Sequence, residues 1–137
     1  MNLPESMRIF LESKHIFVLA TTLQGVPHAC SLFYVLNAAD GSLVFSSSES
    51  TLHARQMRSN PQVAGAVFAD TRAVDEIHGV QFSGNILPGV AQEARAAYLT
   101  AFPEAEKIQS PFWTLKLRAV KMIKNRLGFG HKELWHR

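Results

Sequence analysis

The chain has 137 residues, of which 47% are apolar and 18% are charged; these values fit one globular domain and exclude a disordered chain. No apolar run approaches the roughly 18 residues of a membrane-spanning helix, and no signal peptide is recognisable, so we expect a cytoplasmic protein without a membrane partner. The single cysteine, Cys30, excludes an intramolecular disulfide and a cysteine-based zinc site.

The net charge of +3 is distributed unevenly along the chain. From Lys116 onward the sequence carries seven basic residues and one acid, whereas the part before it carries seven bases and ten acids. A basic C-terminal part favours an anionic partner such as a phosphate-bearing cofactor, an acidic protein surface or nucleic acid. Nucleic acid is not the expected partner, because the bases from Lys116 to Lys124 alternate with apolar residues and no helix-turn-helix spacing occurs.

The first part of the chain predicts a helix followed by a meander of strands. The helix covers Pro4–Lys14, and its apolar side chains are spaced to share one face. Three runs rich in β-branched and aromatic residues follow, joined by short turns that contain Gly25 and Gly41. The predicted strands are His15–Thr22, Val26–Leu36 and Ser42–Ser47.

The second part combines helices with longer strands. A helix is predicted from Ser48 or Ser50 to Ser59, because hydroxyl side chains cap helices and Asn60-Pro61 ends this one. The stretch Leu127–Trp135 is predicted to be an aromatic turn. The other predicted elements are strands at Gln62–Phe68, Glu76–Leu87 and Phe112–Ile123, with a bulge or bend at Gly79 and Gly84, and a helix at Ala91–Phe102. Six strands without a βαβ rhythm predict a mainly β fold with α additions, a six-stranded antiparallel barrel in one domain over residues 1–137.

The segment from Phe45 to Arg55 joins the end of a predicted strand to a hydroxyl-rich helix N-terminus. Free backbone N–H groups, the helix dipole and hydroxyl donors together make a phosphate site, to which His53 and Arg55 add positive charge. The same serines are also compatible with an ordinary helix N-cap, because serine-rich caps are common. The local sequence leaves both interpretations open.

The order of these segments resembles the pyridoxamine 5′-phosphate oxidase-like FMN-binding split barrels. The resemblance covers nearly the whole chain and rests on the hydroxyl-rich segment, on Asn60-Pro61-x-Val63, on Gly25–Tyr34 and on Gly79–Gly84. The ending Leu127–Trp135 is similar to a small branch of that superfamily. The resemblance implies a split β-barrel, FMN, a homodimer with the flavin in its interface, and an oxidoreductase acting on a small molecule. The chain lacks most of the oxidase's C-terminal vitamin-binding arrangement, so oxidation of pyridoxamine phosphate itself is not expected.

Carried over by position, the resemblance also implies individual FMN contacts. Backbone groups of Ala29, Cys30, Ser31 and Leu32 would meet the edge of the flavin ring, and Ser46, Ser47 and Thr51, with Ser48 beside them, would bind the phosphate. Leu52 and His53 stand where the oxidase has a basic pair. We therefore expect Arg55, or a base from the second protomer, to supply the missing positive charge.

Gln81 and the C-terminal aromatic residues are further candidates. Gln81 either contacts the flavin or is an exposed strand residue. Trp135 is predicted at a pocket rim or dimer seam, where it and Phe129 could stack on a flavin, whereas alternation places Trp113 in the core.

Other functional classes have less support. The six histidines form no HxH or HExxH motif, so no metal site is predicted. No catalytic residue can be singled out, which fits a cofactor that carries the redox chemistry itself. The alternative function is non-catalytic binding of a flavin, a deazaflavin or haem on the same fold.

Overall fold

The computed structural model describes residues 2–128 and 130–137. Within them, no helix is both long and apolar enough to cross a membrane. The strands are β1 (Ile16–Leu23), β2 (Val26–Phe33), β3 (Val35–Asn37), β4 (Ser42–Ser46), β5 (Gln62–Phe68), β6 (His78–Pro88), β7 (Phe112–Lys124) and β8 (Lys132–His136). The helices are α1 (Glu5–Glu12), α2 (Leu52–Ser59), α3 (Gln92–Ala101) and α4 (Ala105–Ile108), with 3₁₀ turns at Val74–Glu76 and Asn125–Leu127.

The strands form one antiparallel sheet that curls into a split barrel, as predicted. Their order is β2-β1-β5-β6-β7-β4-β3, with β8 beside β7. β7 pairs with β6 on one side, and on the other side with β4 in its first half and β8 in its second half. The two ends of this path, β2 and β3, are separated along the chain by Tyr34 alone. The sheet therefore returns on itself, and β2 lies beside β4 and the helix α2.

Two parts of the prediction for the strands are wrong. The predicted strand Val26–Leu36 is divided into β2 and β3, because Tyr34 turns into the core and its hydroxyl donates to the Leu11 carbonyl oxygen at 2.6 Å. The segment Lys132–His136, predicted as part of a turn, is the strand β8 and pairs with the second half of β7. The described residues thus form eight strands instead of six.

The long pair of β6 and β7 bends at Gly84, in agreement with the sequence prediction. The register shifts by one residue there, so that Arg118 is an extra residue on β7. A Cβ atom at Gly84 would collide with the backbone oxygen of Lys116. Glycine at this position therefore allows the two strands to stay in contact through the bend.

The core fills the inside of the barrel, and a helix closes each end. Phe17 lies at its centre, with ring centroids 5.7 Å from Tyr34 and 5.3 Å from Phe45. Helix α1 contacts the end at which β1 begins, through the bond between Tyr34 and the backbone of α1. Helix α2 closes the other end, where Thr21 Oγ1 donates to Gln56 Oε1 at 2.6 Å. Because side chains occupy the interior, a large ligand must bind on the outside of the barrel.

Candidate functional site

The residues predicted to form the site lie on two surfaces. The first, called here the edge site, consists of the free edge of β2, the end of β4 and the N-terminus of α2, which lie side by side. The second, called here the outer groove, lies on the outer face of the sheet across β1, β5, β6, β7 and β8. The fold brings the predicted ring and phosphate contacts together at the edge site, whereas Gln81 lines the outer groove.

The turn between β1 and β2 determines which backbone groups of β2 are free. Gln24 and Gly25 have φ angles of 52° and 79°, and two positive φ values define a type I′ hairpin turn. In such a hairpin the flanking residues, Leu23 and Val26, exchange hydrogen bonds, and every second pair along the ladder does the same. The bond from Tyr34 N to His15 O, at 3.0 Å, continues this alternation beyond the strand.

Ala29 and Ser31 carry the free backbone groups of this edge. They belong to the pairs that exchange no hydrogen bonds with β1, so their N–H and C=O groups point away from β1. No other element of the described residues bonds to these groups. Cys30 and Leu32 bond to β1 and pack their side chains against the core. Pro27, like Ala29, belongs to a pair that exchanges no hydrogen bonds with β1, so its missing N–H costs the sheet no bond. Of the four residues predicted to contact the flavin ring, Ala29 and Ser31 are thus the ones whose backbone N–H and C=O groups are free.

The serines at the end of β4 form hydrogen bonds within the protein. Ser46 Oγ donates to the carbonyl oxygen of Ser110 at 3.1 Å. Ser48 Oγ accepts a hydrogen bond from the Ser50 N–H at 3.3 Å. The indole Nε1 of Trp113 donates to the Ser47 carbonyl oxygen at 3.1 Å, and Trp113 is buried as predicted. These bonds fix the turn from β4 into α2.

The N-cap of α2 is Thr51, whereas the sequence predicts Ser48 or Ser50. Its Oγ1 accepts from the Ala54 N–H at 3.2 Å and donates to the Ser48 carbonyl oxygen at 2.9 Å, so the helix begins at Leu52. The backbone N–H groups of Leu52 and His53 bond to no acceptor in the described part of the chain. These two donors, at the positive end of the helix dipole, are available to an anion.

The His53 side chain lies beneath this turn instead of facing a ligand. Only 7% of it is exposed, and its Nε2 lies 2.5 Å from Ser47 Oγ and 3.2 Å from Thr51 Oγ1. Burial lowers the pKa of His53 below its ordinary value of 6.5, and the nearby charge of His28 lowers it further. His53 is therefore neutral at neutral pH and does not replace the basic residue of the oxidase.

Arg55 is the cation of α2 that is open to a ligand. Its side chain is exposed, one turn from the helix N-terminus, and forms no ion pair within residues 2–128 and 130–137. Arg58, by contrast, pairs with Glu49 and lies over the ring of Trp113. Leu52 is exposed and adds an apolar surface beside Arg55.

The outer groove has a floor of small side chains. Residues directly opposite each other on neighbouring strands share a face of the sheet, and two such rows cross six strands. A volume of about 630 Å³ lies over the part of these rows that runs from β1 to β8. The first row is Ser31, Val18, Ala66, Gln81, Lys121 and Leu134, and the second is Ala29, Ala20, Ala64, Ser83, Ala119 and His136.

Three polar side chains stand at one end of this groove. Gln81 and Lys121 face each other across β6 and β7, and His136 extends from β8 in the neighbouring row. None of the three side chains makes a hydrogen bond or ion pair with a described residue. The sequence predicted Gln81 but not Lys121 or His136. Lys121 is one base among several on β7, and His136 reaches the groove only through β8, which the sequence did not reveal.

Trp135 is not at a pocket rim, which corrects the sequence prediction. It is 9% exposed and belongs to the core, because the alternation of β8 turns Trp135 inward and Leu134 and His136 outward. Phe129, the other predicted stacking residue, lies outside the described residues.

Comparison with known proteins agrees with this architecture. Residues 3–125 match the family described as pyridoxamine 5′-phosphate oxidase. The chain belongs to this family. A UPF0306 protein of Photorhabdus laumondii is 34% identical over 143 residues and covers 100% of both chains. A UPF0306 protein of Yersinia pseudotuberculosis is 37% identical over 144 residues, covering 100% of this chain and 97% of the relative.

Several solved structures superpose well on this chain although their sequence identity to it is low. A haem-binding protein from Mycobacterium smegmatis has a TM-score of 0.78 and 22% identity, covering 99% of this chain and 59% of that one. A haem storage protein from Vibrio cholerae has a TM-score of 0.67 and 18% identity, covering 99% and 95%. An FAD-binding protein from Mesorhizobium loti has a TM-score of 0.67 and 15% identity, covering 88% and 94%. At these identities the likeness establishes the fold alone.

Proposed function

We propose that this member of the pyridoxamine 5′-phosphate oxidase family binds FMN at the edge site and acts as a flavin-dependent oxidoreductase on a small molecule. The observation that carries the proposal is the open edge of β2, where Ala29 and Ser31 offer unpaired N–H and C=O groups beside the N-terminus of a helix. A heterocycle with alternating donors and acceptors satisfies such an edge, and a phosphate satisfies the helix end.

The edge site fits the ring of FMN better than its phosphate. The backbone of Ala29 and Ser31 provides donors and acceptors that any residue other than proline at these positions would leave in place. For the phosphate, the fold provides the free N–H groups of Leu52 and His53 and the guanidinium of Arg55. The serine hydroxyls hold the turn and His53 is neutral, so Arg55 carries the charge recognition.

A homodimer through the outer face of the sheet completes the proposed site. Four large apolar side chains on this face, Ile16, Phe33, Phe68 and Leu134, are 50% to 65% exposed. Contact between two such faces would bury these side chains and leave the small-residue floor of the outer groove as a cavity between the protomers. Such a cover excludes water from a flavin at the adjacent β2 edge.

Bound FMN supplies hydride transfer, so the protein needs no acid or base of its own for that step. The chain binds the ring through the β2 backbone, orients it by the register of the hairpin, and shields it with apolar side chains. The substrate would then approach the ring from the outer face, along the small-residue floor of the outer groove.

The experiment that tests this function is the visible absorbance spectrum of the purified protein after addition of FMN and removal of the excess, with its mass from gel filtration. We expect flavin bands at one FMN per chain and the mass of a dimer. A protein that retains no flavin at any FMN concentration would contradict the proposal, and a flavin-bound monomer would contradict the dimer.

Haem binding is a second candidate, favoured by the imidazole of His136. This side chain is exposed at an apolar groove, makes no hydrogen bond within the described residues, and lies over a floor that admits a flat ring. Two of the superposed structures are proteins described as binding or storing haem. Haemin titration should then give a Soret band, and the His136→Ala substitution should shift this band. An unchanged band in the variant would rule out His136 as the residue that binds the haem iron.

A further inference from the structure

The outer groove contains a partly buried lysine without a counterion. Lys121 faces outward near the β8 end of the first row, and its neighbours on the adjacent strands are Gln81 and Leu134. Its ammonium group forms no ion pair within residues 2–128 and 130–137. A charge that is partly removed from water normally has an opposite charge nearby, because desolvation of an unpaired ion is costly.

The nearest acid on β8 is turned to the other side of the sheet. Glu133 belongs to the inward alternation, and both of its carboxylate oxygens accept from Ser6 Oγ, at 2.9 Å and 2.8 Å. The rest of the groove adds no acid, since its lining is alanine, glycine, valine and phenylalanine besides the three polar side chains, Ser83 and Leu134. The protein thus presents one ammonium group, one amide and one imidazole above an apolar floor.

We propose that the outer groove binds a small planar organic anion, with Lys121 and Gln81 as the residues that recognise its anionic group. The flat floor of Ala20, Ala64 and Ala119 accepts a ring, and the volume of about 630 Å³ admits a molecule of one or two rings. Lys121 pairs with a carboxylate or phosphate of this molecule, and the amide N–H of Gln81 donates to the same group. The inference stands independently of FMN at the edge site, and it assigns a substrate class if that flavin is present.

The test uses a fluorescent planar anion and its uncharged analogue. The full-length protein is titrated with 1-anilinonaphthalene-8-sulfonate and, separately, with N-phenyl-1-naphthylamine. Lys121→Met removes the charge and keeps the apolar stem, Lys121→Arg keeps the charge, and Lys116→Met serves as the matched control on the same strand outside the groove. Circular dichroism and gel filtration verify the fold and the oligomeric state of each variant.

We expect Lys121→Met to weaken the sulfonate about tenfold and to leave the uncharged analogue unchanged, with Lys121→Arg and Lys116→Met close to wild type. 1-Naphthoate or 1-naphthyl phosphate should displace the bound sulfonate, and the stronger of the two identifies a carboxylate or a phosphate as the preferred group. Equal weakening of the charged and uncharged probes, or failure of both competitors, would overturn the proposal. A variant that binds the sulfonate normally but loses the dimer would instead assign Lys121 to an acid of the second copy, and this too would overturn it.

Failure of this inference differs from failure of the FMN proposal. FMN retention is measured on the same Lys121→Met protein, because Lys121 and the β2 edge are on different strands of the sheet with three strands between them. Retained FMN with no charge-dependent probe binding rejects the groove ligand alone. Charge-dependent probe binding without FMN rejects the flavin alone.

Discussion

The edge site and the outer groove differ in how their polar side chains are used. At the edge site, Ser46, Ser47, Thr51 and His53 bond to one another or to the backbone, and they build the turn that leads into α2. In the groove, Gln81, Lys121 and His136 make no such bonds within the described part of the chain. The comparison shows that the hydroxyl groups between Ser46 and Thr51 stabilise the turn from β4 into α2. The groups open to ligands are the backbone of β2, the N-terminus of α2 with Arg55, and side chains of the groove that come from three separate strands.

The first prediction concerns the free N–H on β2 and has the largest expected effect. Ser31→Pro removes an N–H that the β1 ladder does not use, so the protein should fold and lose FMN affinity by about 30-fold or more. Ser31→Ala, which keeps the N–H, should bind FMN normally. Cys30→Pro removes an N–H that bonds to β1 and should destabilise the fold instead. Flavin fluorescence quenching and urea unfolding measure both effects, and equal FMN affinity of the Ser31→Pro and Ser31→Ala proteins would contradict the assignment.

The second prediction separates two arginines of the same helix. Arg55→Gln should weaken FMN about tenfold, since one charge-assisted contact to the phosphate is lost. Arg58→Gln should change the affinity little, because Arg58 pairs with Glu49. Riboflavin, which lacks the phosphate, should bind the wild type and the Arg55→Gln protein equally. Unequal riboflavin affinity would show that Arg55 acts on something other than the phosphate.

The third prediction tests whether the hydroxyl motif serves the fold. Ser47→Ala removes the hydroxyl that contacts the buried His53 and should lower the free energy of unfolding by about 1–2 kcal/mol. FMN affinity should fall by less than about threefold, provided that the measurement is made well below the unfolding transition. Gln81→Ala, on the exposed face of β6, should leave stability unchanged. A large loss of FMN affinity in Ser47→Ala with unchanged stability would reverse this view of the motif.

The fourth prediction, with the smallest effect, is a pH dependence. Because burial and His28 lower the pKa of His53 in the folded state, the unfolded chain binds more protons as the pH falls through 6.5, and the free energy of unfolding decreases. His78, whose pKa burial and neighbouring cations also lower, acts in the same direction. His53→Gln should make the decrease between about pH 7.5 and about pH 5 shallower. An unchanged slope in urea unfolding experiments would exclude His53 as a source.

Much of the fold follows from local patterns, and what the sequence misses has tertiary causes. The alternating runs and the Gly25 turn predict β1, β4, β5, β6 and β7 nearly to their boundaries. Tyr34 is a good strand former, and its departure from the strand depends on a bond to the backbone of α1. β8 is short and polar and follows Gly128 and Gly130, so it is recognisable as a strand only beside β7.

For the candidate site, the order of segments along the chain predicts the correct strand, β2, but it does not predict which side chains are free to bind a ligand. The segment of β2 was identified, but only the type I′ turn reveals that Ala29 and Ser31, and not Cys30 and Leu32, face the open edge. The sequence predicts the serines as ligand donors because it does not reveal which hydroxyls already have partners. Lys121 appeared as one base among several, since the small residues around it come from other strands.

The measurement that tests the central claim most directly is amide hydrogen exchange by NMR along β2, with and without FMN. The amides of Ala29 and Ser31 should exchange quickly in the free protein, while those of Cys30 and Leu32 are protected by β1. Saturating FMN should then protect Ala29 and Ser31 and leave the other two unchanged. Slow exchange of Ala29 and Ser31 without FMN, or exchange that FMN does not alter, would contradict the binding of a flavin at this edge.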